Sequence, residues 1–232
     1  MYEELKKQVF EANLKLVDYG LVILTFGNVS QVDREKGVMA IKPSGVSYEK
    51  MTPDDIVVLD LSGKQIEGRL QPSSDTPTHL YLYTSFSLIG GVAHAHSEYA
   101  TAFAQAGEEI PCYGTTQADF FPGHIPTTRA LKESEVLDDY ELNTGKVIVE
   151  RFEHLDPAHY PACLVTGHGP FAWGKSAREA VDNLLAMEKI ARMALLTRLI
   201  DPGAKSLPEF LIKKHFERKH GPKAYYGQRK EE

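Results

Sequence analysis

The sequence predicts an α/β fold in a single domain. Short apolar segments that suit buried strands alternate with longer segments whose apolar residues recur at helical spacing. The 232 residues show no internal repeat, no low-complexity linker and no break in composition. Because a chain of this length can bury one sizeable core, we expect one domain over residues 1–232.

The N-terminal half is predicted to contain two helices and four strands. Apolar side chains in residues 4–19 recur every three or four positions, which predicts a helix that Gly20 ends. Ser62-Gly63 separates two apolar runs and indicates a hairpin. The predicted strands are residues 21–26, 38–41, 56–61 and 64–69, and the second predicted helix is residues 76–84.

The C-terminal half is predicted to be richer in helix. Ser176 and Glu179 form a capping box that opens a long helix with an apolar face reaching Leu199. Residues 220–232 form a basic, polar tail. The other predicted elements are strands at 89–95, 146–150 and 162–166 and helices at 97–105 and 208–219.

Composition excludes several classes of protein. A net charge of −6 argues against a general nucleic-acid binder, whose surface is usually basic. No apolar run approaches the roughly 18 residues of a membrane span, and the acidic N-terminus does not suit a signal peptide. Two cysteines, Cys112 and Cys163, make no disulfide framework and are expected to be buried thiols. We therefore expect a cytoplasmic protein with no membrane or nucleic-acid partner.

Three histidines suggest a metal site. His94 and His96 end an apolar run, and side chains two residues apart leave a strand on the same face. His168 lies between two glycines, which allow a sharp turn and leave the imidazole unobstructed. Zinc suits three imidazoles with one open position, and manganese or cobalt accepts the same ligands. The alternative for each histidine is a hydrogen-bonded core residue.

Two further segments suit an anion. Lys42, Ser44 and Gly45 provide a cation, a hydroxyl and a flexible backbone N–H within four residues. Ser73 and Ser74 precede a predicted helix, where free N–H groups and the helix dipole favour a phosphate. Each segment alone also suits an ordinary turn or N-cap. Together, and near a metal site, they favour a phosphate pocket.

Three other residues are candidates for acid–base or metal chemistry. Asp75 could cap the following helix, ligate the metal, or orient a ligand. Asp119 lies beside apolar neighbours, which could raise its pKa and make it an acid or base, although an ordinary loop aspartate is the alternative. Tyr226, in the tail, could supply a phenolic proton if the tail folds over a cleft.

The motifs together resemble the class II sugar-phosphate aldolases and their epimerase relatives. The resemblance extends from about residue 5 to the tail. The segments that carry it are Gly27-Asn28-Val29-Ser30, Lys42-Pro43-Ser44-Gly45, Ser73-Ser74-Asp75, His94-Ala95-His96 and Gly167-His168-Gly169.

The resemblance implies a fold and a set of site residues. The implied fold is a mostly antiparallel, nine-stranded sheet between helices in three α/β/α layers, assembled as a four-fold homotetramer with active sites at subunit interfaces. Asp119 and Tyr226 would transfer protons on opposite faces of the substrate, with Tyr226 coming from a neighbouring subunit. The implied metal residues are His94, His96, His168 and Asp75, and the implied phosphate residues are Asn28, Lys42, Ser44, Gly45, Ser73 and Ser74.

Within the family, two features favour the epimerase branch. The similar aldolases use a glutamate where Asp75 stands, and Gln117-Ala118-Asp119 paired with a tail tyrosine is similar to the epimerase arrangement. That branch converts L-ribulose 5-phosphate to D-xylulose 5-phosphate by breaking and re-forming the C3–C4 bond, with the metal as a Lewis acid. The pathway stays open between arabinose, ascorbate and gulose breakdown.

The sequence also suits other functions. The nearest is an aldolase that releases its fragments, acting on a sugar phosphate such as L-fuculose 1-phosphate. A metallohydrolase is disfavoured because Ser97-Glu98 follows His96 where an Asp-His pair would be expected. The chain could also be a non-catalytic module like the head domain of adducin, which three intact histidines argue against.

Overall fold

A single antiparallel sheet organises the protein. The structure, a computed structural model, describes residues 1–226, and residues 227–232 of the predicted tail lie outside the described residues. Seven strands pair in the order β4-β3-β2-β1-β5-β7-β6. The strands are β1 Asn28–Asp33, β2 Val38–Ile41, β3 Val57–Asp60, β4 Gln65–Glu67, β5 Gly91–His94, β6 Ala162–Val165 and β7 Gly169–Gly174.

The expectation of nine strands is wrong for the described part of the chain. Thr127 pairs with Leu164 of β6, and Ile110 pairs with Ile125, but each pair forms only an isolated bridge. A single bridge does not extend into a strand. The mostly antiparallel character of the sheet is confirmed.

Helices cover both faces of the sheet. Along β5, Val92 packs in one apolar cluster with residues of α2 and α6, whereas Ala93 packs in another with residues of α3 and α7. This alternation follows from the two-residue period of a strand, and it confirms the three-layer α/β/α architecture. The helices are α1 Glu3–Asp18, α2 Thr76–Ser85, α3 Glu98–Ala106, α4 Thr115–Ala118, α5 Glu133–Leu137, α6 Tyr140–Arg151, α7 Ala177–Ile200 and α8 Glu209–His220, with a 3₁₀ turn at Pro53–Asp55.

Most predicted elements are present close to their predicted bounds. The helix predicted at 4–19 is α1, the hairpin is β3 and β4, and the helix predicted at 208–219 is α8. The capping residue of α7 is also confirmed, since the Ser176 side chain accepts a hydrogen bond from the Glu179 backbone N–H. Both cysteines are buried free thiols, as expected.

Two predicted strands are wrong. Residues 21–26 form a loop that exposes Ile23, Leu24 and Phe26 (59%, 80% and 55% exposed), and the strand begins only at Asn28. Residues 146–150 lie inside α6, where Val147 and Ile148 supply its buried side. A short apolar run does not distinguish a strand from one face of a helix, and this explains the second error.

Strand β7 is absent from the sequence prediction. Its first residues, Gly169 and Pro170, resemble a loop. They nevertheless pair with β6, since Pro170 lies opposite Leu164 and Gly169 opposite Val165. The hairpin of β6 and β7 therefore holds residues 166–168 in a tight turn. No helix among residues 1–226 has the length and apolar character needed to cross a membrane.

Candidate active site

Three side chains on neighbouring central strands form a row that includes the first of the predicted metal ligands. Asn28 on β1 lies opposite His94 on β5, and His94 lies opposite Phe171 on β7. The Phe171 ring stacks on the His94 imidazole with 4.0 Å between centroids. His94 Nδ1 lies 2.9 Å from the Pro170 carbonyl oxygen. Because a carbonyl oxygen only accepts, Nδ1 carries a proton there, and in the neutral ring the lone pair is then on Nε2.

The structure brings the three predicted histidines together. Strand β5 ends at His94, so His96 lies just beyond it, and His168 lies in the turn between β6 and β7. Gly167 has a φ of +75° in that turn, a conformation that glycine adopts without strain. The ring centroids are 4.7 to 5.1 Å apart, and one ligand atom from each imidazole lies within 4.8 Å of the others.

The chemistry of this histidine triad fits a divalent metal ion. Burial, with the neighbouring imidazoles, lowers the pKa of His168 to about 3 and also lowers the pKa of His96. Neutral imidazole is the form that ligates metal. The Tyr140 hydroxyl lies 3.2 Å from His168 Nδ1, which leaves Nε2 of that ring available. His94 and His168 are thus both held by partners on their far nitrogens.

Asp75 lies at the edge of the triad. Its Oδ2 accepts a hydrogen bond of 2.6 Å from the Asn28 side chain and lies 4.0 Å from His94 Nε2. Burial acts to raise the pKa of Asp75, but the adjacent histidines and the Asn28 hydrogen bond outweigh it, so the pKa is lowered. Its side chain does not cap α2. Of the three roles left open by the sequence, helix capping is therefore wrong.

The two segments predicted to bind an anion (the anion-binding segments) are tied to each other. Pro43 and Pro72 form an antiparallel bridge. The Ser73 N–H donates to the Lys42 carbonyl at 3.0 Å, and the Ser44 N–H donates to the Gln71 carbonyl at 2.9 Å. These hydrogen bonds hold the two segments side by side, although they are about thirty residues apart in the sequence.

Lys42 is the buried cation of this segment. It is 1% exposed, and its ammonium group lies 4.8 Å from the centre of the Tyr48 ring. Its hydrogen-bond acceptors are the carbonyls of Thr25 and Pro43, at 3.4 and 3.3 Å. Burial lowers the pKa of Lys42 to about 8. A buried ammonium bound to neutral carbonyls favours an anionic ligand.

One cavity of about 370 Å³ joins the histidine triad to the anion-binding segments. Its volume suits a small ligand. All ten residues predicted to bind phosphate or metal line it, namely Asn28, Lys42, Ser44, Gly45, Ser73, Ser74, Asp75, His94, His96 and His168.

Asp119 and Tyr226 do not line this cavity. Asp119 follows α4 and binds α8, with its carboxylate 2.9 Å from Arg218 Nε and 3.1 Å from His215 Nδ1. Burial alone would raise the pKa of Asp119, but Arg218, His215 and Lys219 together lower it. The expected raised pKa is therefore wrong, because α8 supplies cations that the sequence around Asp119 does not reveal.

Sequence reasoning missed several residues that line the cavity or contact its histidines. Tyr140 and Glu141 open α6, a region predicted as neither helix nor site. Phe26 stacks on His96 with 6.1 Å between centroids, although residues 21–26 were predicted to be a strand. Phe171 follows His168 by three residues, and its only signal was that proximity. None of these belongs to a short motif of its own.

Comparison with known proteins identifies the family. Residues 7–195 match the family described as Class II Aldolase and Adducin N-terminal domain. The chain belongs to that family. It is 58% identical to L-ribulose-5-phosphate 4-epimerase UlaF of Salmonella paratyphi A over 227 residues, which are 98% of this chain and 100% of that protein.

Solved structures of class II aldolases share the fold. A structure of L-fuculose 1-phosphate aldolase is 27% identical with a TM-score of 0.79, covering 93% of this chain and 95% of that one. The L-fuculose-1-phosphate aldolase of Thermus thermophilus is 24% identical with a TM-score of 0.68, covering 88% of this chain and 98% of its own, a likeness of fold alone. Proteins named as epimerases and proteins named as aldolases are therefore both similar to this chain.

Proposed function

We propose that this protein is a metal-dependent epimerase that converts L-ribulose 5-phosphate to D-xylulose 5-phosphate by inverting C4. The observation that carries the proposal is the single cavity in which a histidine triad adjoins a buried lysine and two serine-containing loops. The 58% identity with a protein named L-ribulose-5-phosphate 4-epimerase supports the same substrate. The proposed setting is the catabolism of a pentose in the cytoplasm.

The proposed metal ion is zinc, held by His94, His96 and His168, with manganese or cobalt accepting the same ligands. When bound, the ion supplies a Lewis acid beside the oxygens of the substrate. The Pro170 carbonyl and the Tyr140 hydroxyl fix the orientation of two of these imidazoles. Asp75 adds a negative charge at the edge of the site, and its hydrogen bond to Asn28 fixes its position.

The phosphate end of the substrate is proposed to bind Lys42 and the two loops around it. Lys42 supplies the charge, and Ser44 and Ser73 supply hydroxyl donors on loops that the Pro43–Pro72 bridge holds together. This anchorage has a chemical purpose. After the C3–C4 bond breaks, glycolaldehyde phosphate stays bound by its phosphate, turns to present its other face, and rejoins with C4 inverted.

Asp119 and Tyr226 are proposed to move the proton of the C4 hydroxyl, one on each face of the substrate. Neither lines the cavity within one chain. We therefore propose that a second copy of the chain brings them to it, in a homotetramer whose active sites lie between subunits. The lowered pKa of Asp119 keeps its carboxylate charged and able to accept a proton at neutral pH.

Product analysis tests this function. The metal-loaded protein is incubated with L-ribulose 5-phosphate, with and without a chelator, and the sugars are resolved by chromatography. We expect D-xylulose 5-phosphate, and its loss on chelation. Release of free dihydroxyacetone and glycolaldehyde phosphate, or turnover of L-fuculose 1-phosphate alone, would replace the epimerase with an aldolase.

The aldolase is the second candidate because its fold is shared over most of the chain. The family resemblance implies that the aldolases use a glutamate base where Asp75 stands. Here the shorter Asp75 side chain is already bound to Asn28, which favours the epimerase.

A further inference from the structure

Arg218, in the last turn of α8, makes a two-point contact with Asp119. Its Nε lies 2.9 Å from Oδ1 and its Nη2 lies 2.5 Å from Oδ2. Such a paired contact fixes the plane of a carboxylate as well as its distance. Neither group is freely exposed, since their side chains are 26% and 13% accessible. The contact therefore orients the Asp119 carboxylate and is not a fully exposed surface ion pair.

The same residue contacts Tyr226. The Arg218 carbonyl accepts hydrogen bonds from the N–H groups of Tyr225 and Tyr226 at 3.0 and 3.1 Å. The guanidinium carbon lies 5.1 Å from the centre of the Tyr226 ring. This distance is typical of a cation–π contact. Arg218 is thus joined to Tyr226 through both its backbone and its side chain.

Other titratable side chains of α8 also face Asp119. His215 Nδ1 lies 3.1 Å from Oδ1, Lys219 Nζ lies 3.9 Å from Oδ2, and His220 Nε2 lies 2.9 Å from the Asp119 carbonyl. Lys219 also lies over the Tyr226 ring, at 4.4 Å. A lysine ammonium is a point charge that does not fix a plane. Arg218 differs from these neighbours because it holds the carboxylate at two points and the tyrosine at two points.

We propose that Arg218 is a positioning residue that fixes the Asp119 carboxylate and the Tyr226 ring relative to each other. The proposal rests on the proposed function, in which these two residues transfer the C4 proton. A pair acting on opposite faces of one carbon needs a fixed separation. Arg218 fixes this separation within one chain. The Asp119 carboxylate and the Tyr226 ring therefore already have their relative positions when they enter the cavity of the neighbouring chain.

A kinetic experiment tests the positioning role. Arg218→Met should lower kcat roughly 10- to 100-fold, the usual effect of misplacing a reacting group, and leave metal content and the KM for L-ribulose 5-phosphate within about twofold. Arg218→Lys should recover part of the loss. Lys213→Met, which removes an exposed cation of the same helix, should leave kcat unchanged.

Combining Arg218→Met with Asp119→Asn distinguishes a loss of positioning at Asp119 from a general loss of folding. If Arg218 acts through Asp119, adding Arg218→Met to Asp119→Asn should lower kcat by much less than it does in the wild type. The acid limb of the pH profile should also move to higher pH in Arg218→Met, because the variant lacks the Arg218 charge that lowers the pKa of Asp119. An equal loss in both backgrounds, with an unchanged acid limb, would overturn the proposal.

A second measurement does not depend on activity. 3-Fluorotyrosine is placed at position 226 and its ¹⁹F resonance is recorded. Asp119→Asn should shift this resonance when Arg218 is present and leave it unmoved in Arg218→Met. The same shift in both backgrounds would exclude a link through Arg218. If the wild type forms no D-xylulose 5-phosphate, the proposed function fails, and the fluorine experiment still decides the role of Arg218.

Discussion

The cavity and the α8 cluster around Asp119 control charge in opposite ways. In the cavity, burial lowers the pKa of His168 to about 3 and keeps it neutral, as metal ligation requires. In the α8 cluster, Arg218 and its neighbours outweigh burial and keep Asp119 charged. All ten residues predicted to bind metal or phosphate line one cavity of a single chain, whereas Asp119 and Tyr226 lie outside it. The residues proposed to bind ligand and the residues proposed to transfer protons therefore lie on separate parts of the fold.

The largest effect is expected from removing a residue of the histidine triad. His94→Ala should abolish tight zinc binding and lower turnover roughly 10³- to 10⁴-fold, because a bound metal contributes several kcal/mol to the barrier. Metal content by elemental analysis and turnover with L-ribulose 5-phosphate check both parts.

His154→Ala is the matched control for this variant, since His154 is an exposed histidine outside the cavity. It should retain full metal content and turnover. Retention of stoichiometric zinc by His94→Ala would show that the triad is not the metal site.

The second prediction tests whether the two regions act across copies. Asp119→Asn alone should lower turnover roughly 10²- to 10³-fold, the usual contribution of an acid–base group, with zinc content unchanged. When Asp119→Asn and His94→Ala chains are co-assembled in equal amounts, turnover should return to about a quarter of the wild-type value. In a closed ring of identical contacts, each site combines the cavity of one chain with Asp119 of its neighbour. Half of the cavities then keep His94 and half of the neighbours keep Asp119, so about one site in four is intact.

Mixing the same two variants after separate assembly is the control, and it should restore nothing. If the co-assembled chains remain inactive, Asp119 acts on the cavity of its own chain, and the proposal that a second copy supplies it is wrong.

How much the sequence predicts differs between these two regions. The ten residues predicted to bind metal or phosphate belong to short motifs with recognisable chemistry, and the family resemblance links those motifs. The structure places all ten around one cavity. Tyr140 and Phe171 were missed because their contacts with His168 and His94 depend on the packing of α6 and on a strand pairing, not on local pattern. The pKa of Asp119 was misjudged because its partner Arg218 is 99 residues away. Tertiary partners, rather than neighbours in sequence, set these properties.

The third prediction concerns the anion-binding half of the cavity. Lys42→Met should raise the KM for L-ribulose 5-phosphate roughly 10- to 100-fold, the effect of losing a charged hydrogen bond, and change kcat less. The pKa of Lys42 is about 8, so the wild type loses this positive charge as the pH rises through 8. Its KM should therefore increase between about pH 7 and 9, and the variant should lack this increase.

Lys50→Met, at an exposed position outside the cavity, should reproduce the wild-type KM and its pH dependence. An unchanged KM in Lys42→Met would mean that the phosphate binds elsewhere, leaving the histidine triad as the only part of the cavity with an assigned ligand.

Tyr140→Phe should change the protein least among these variants, because it removes one hydroxyl group beside a single histidine. The Tyr140 hydroxyl holds His168 Nδ1 at 3.2 Å, whereas His94 Nδ1 is held by a backbone carbonyl that substitution cannot remove. Loss of such a partner typically weakens metal binding about tenfold or more. We expect an increase near tenfold in the zinc dissociation constant, measured by competition with a chelator, while Tyr81→Phe on α2 should bind zinc as the wild type does. An unchanged zinc affinity in Tyr140→Phe would show that the Tyr140 hydroxyl is not needed to orient His168. Packing against His94 and His96, together with the burial that keeps His168 neutral, would then be sufficient for metal binding.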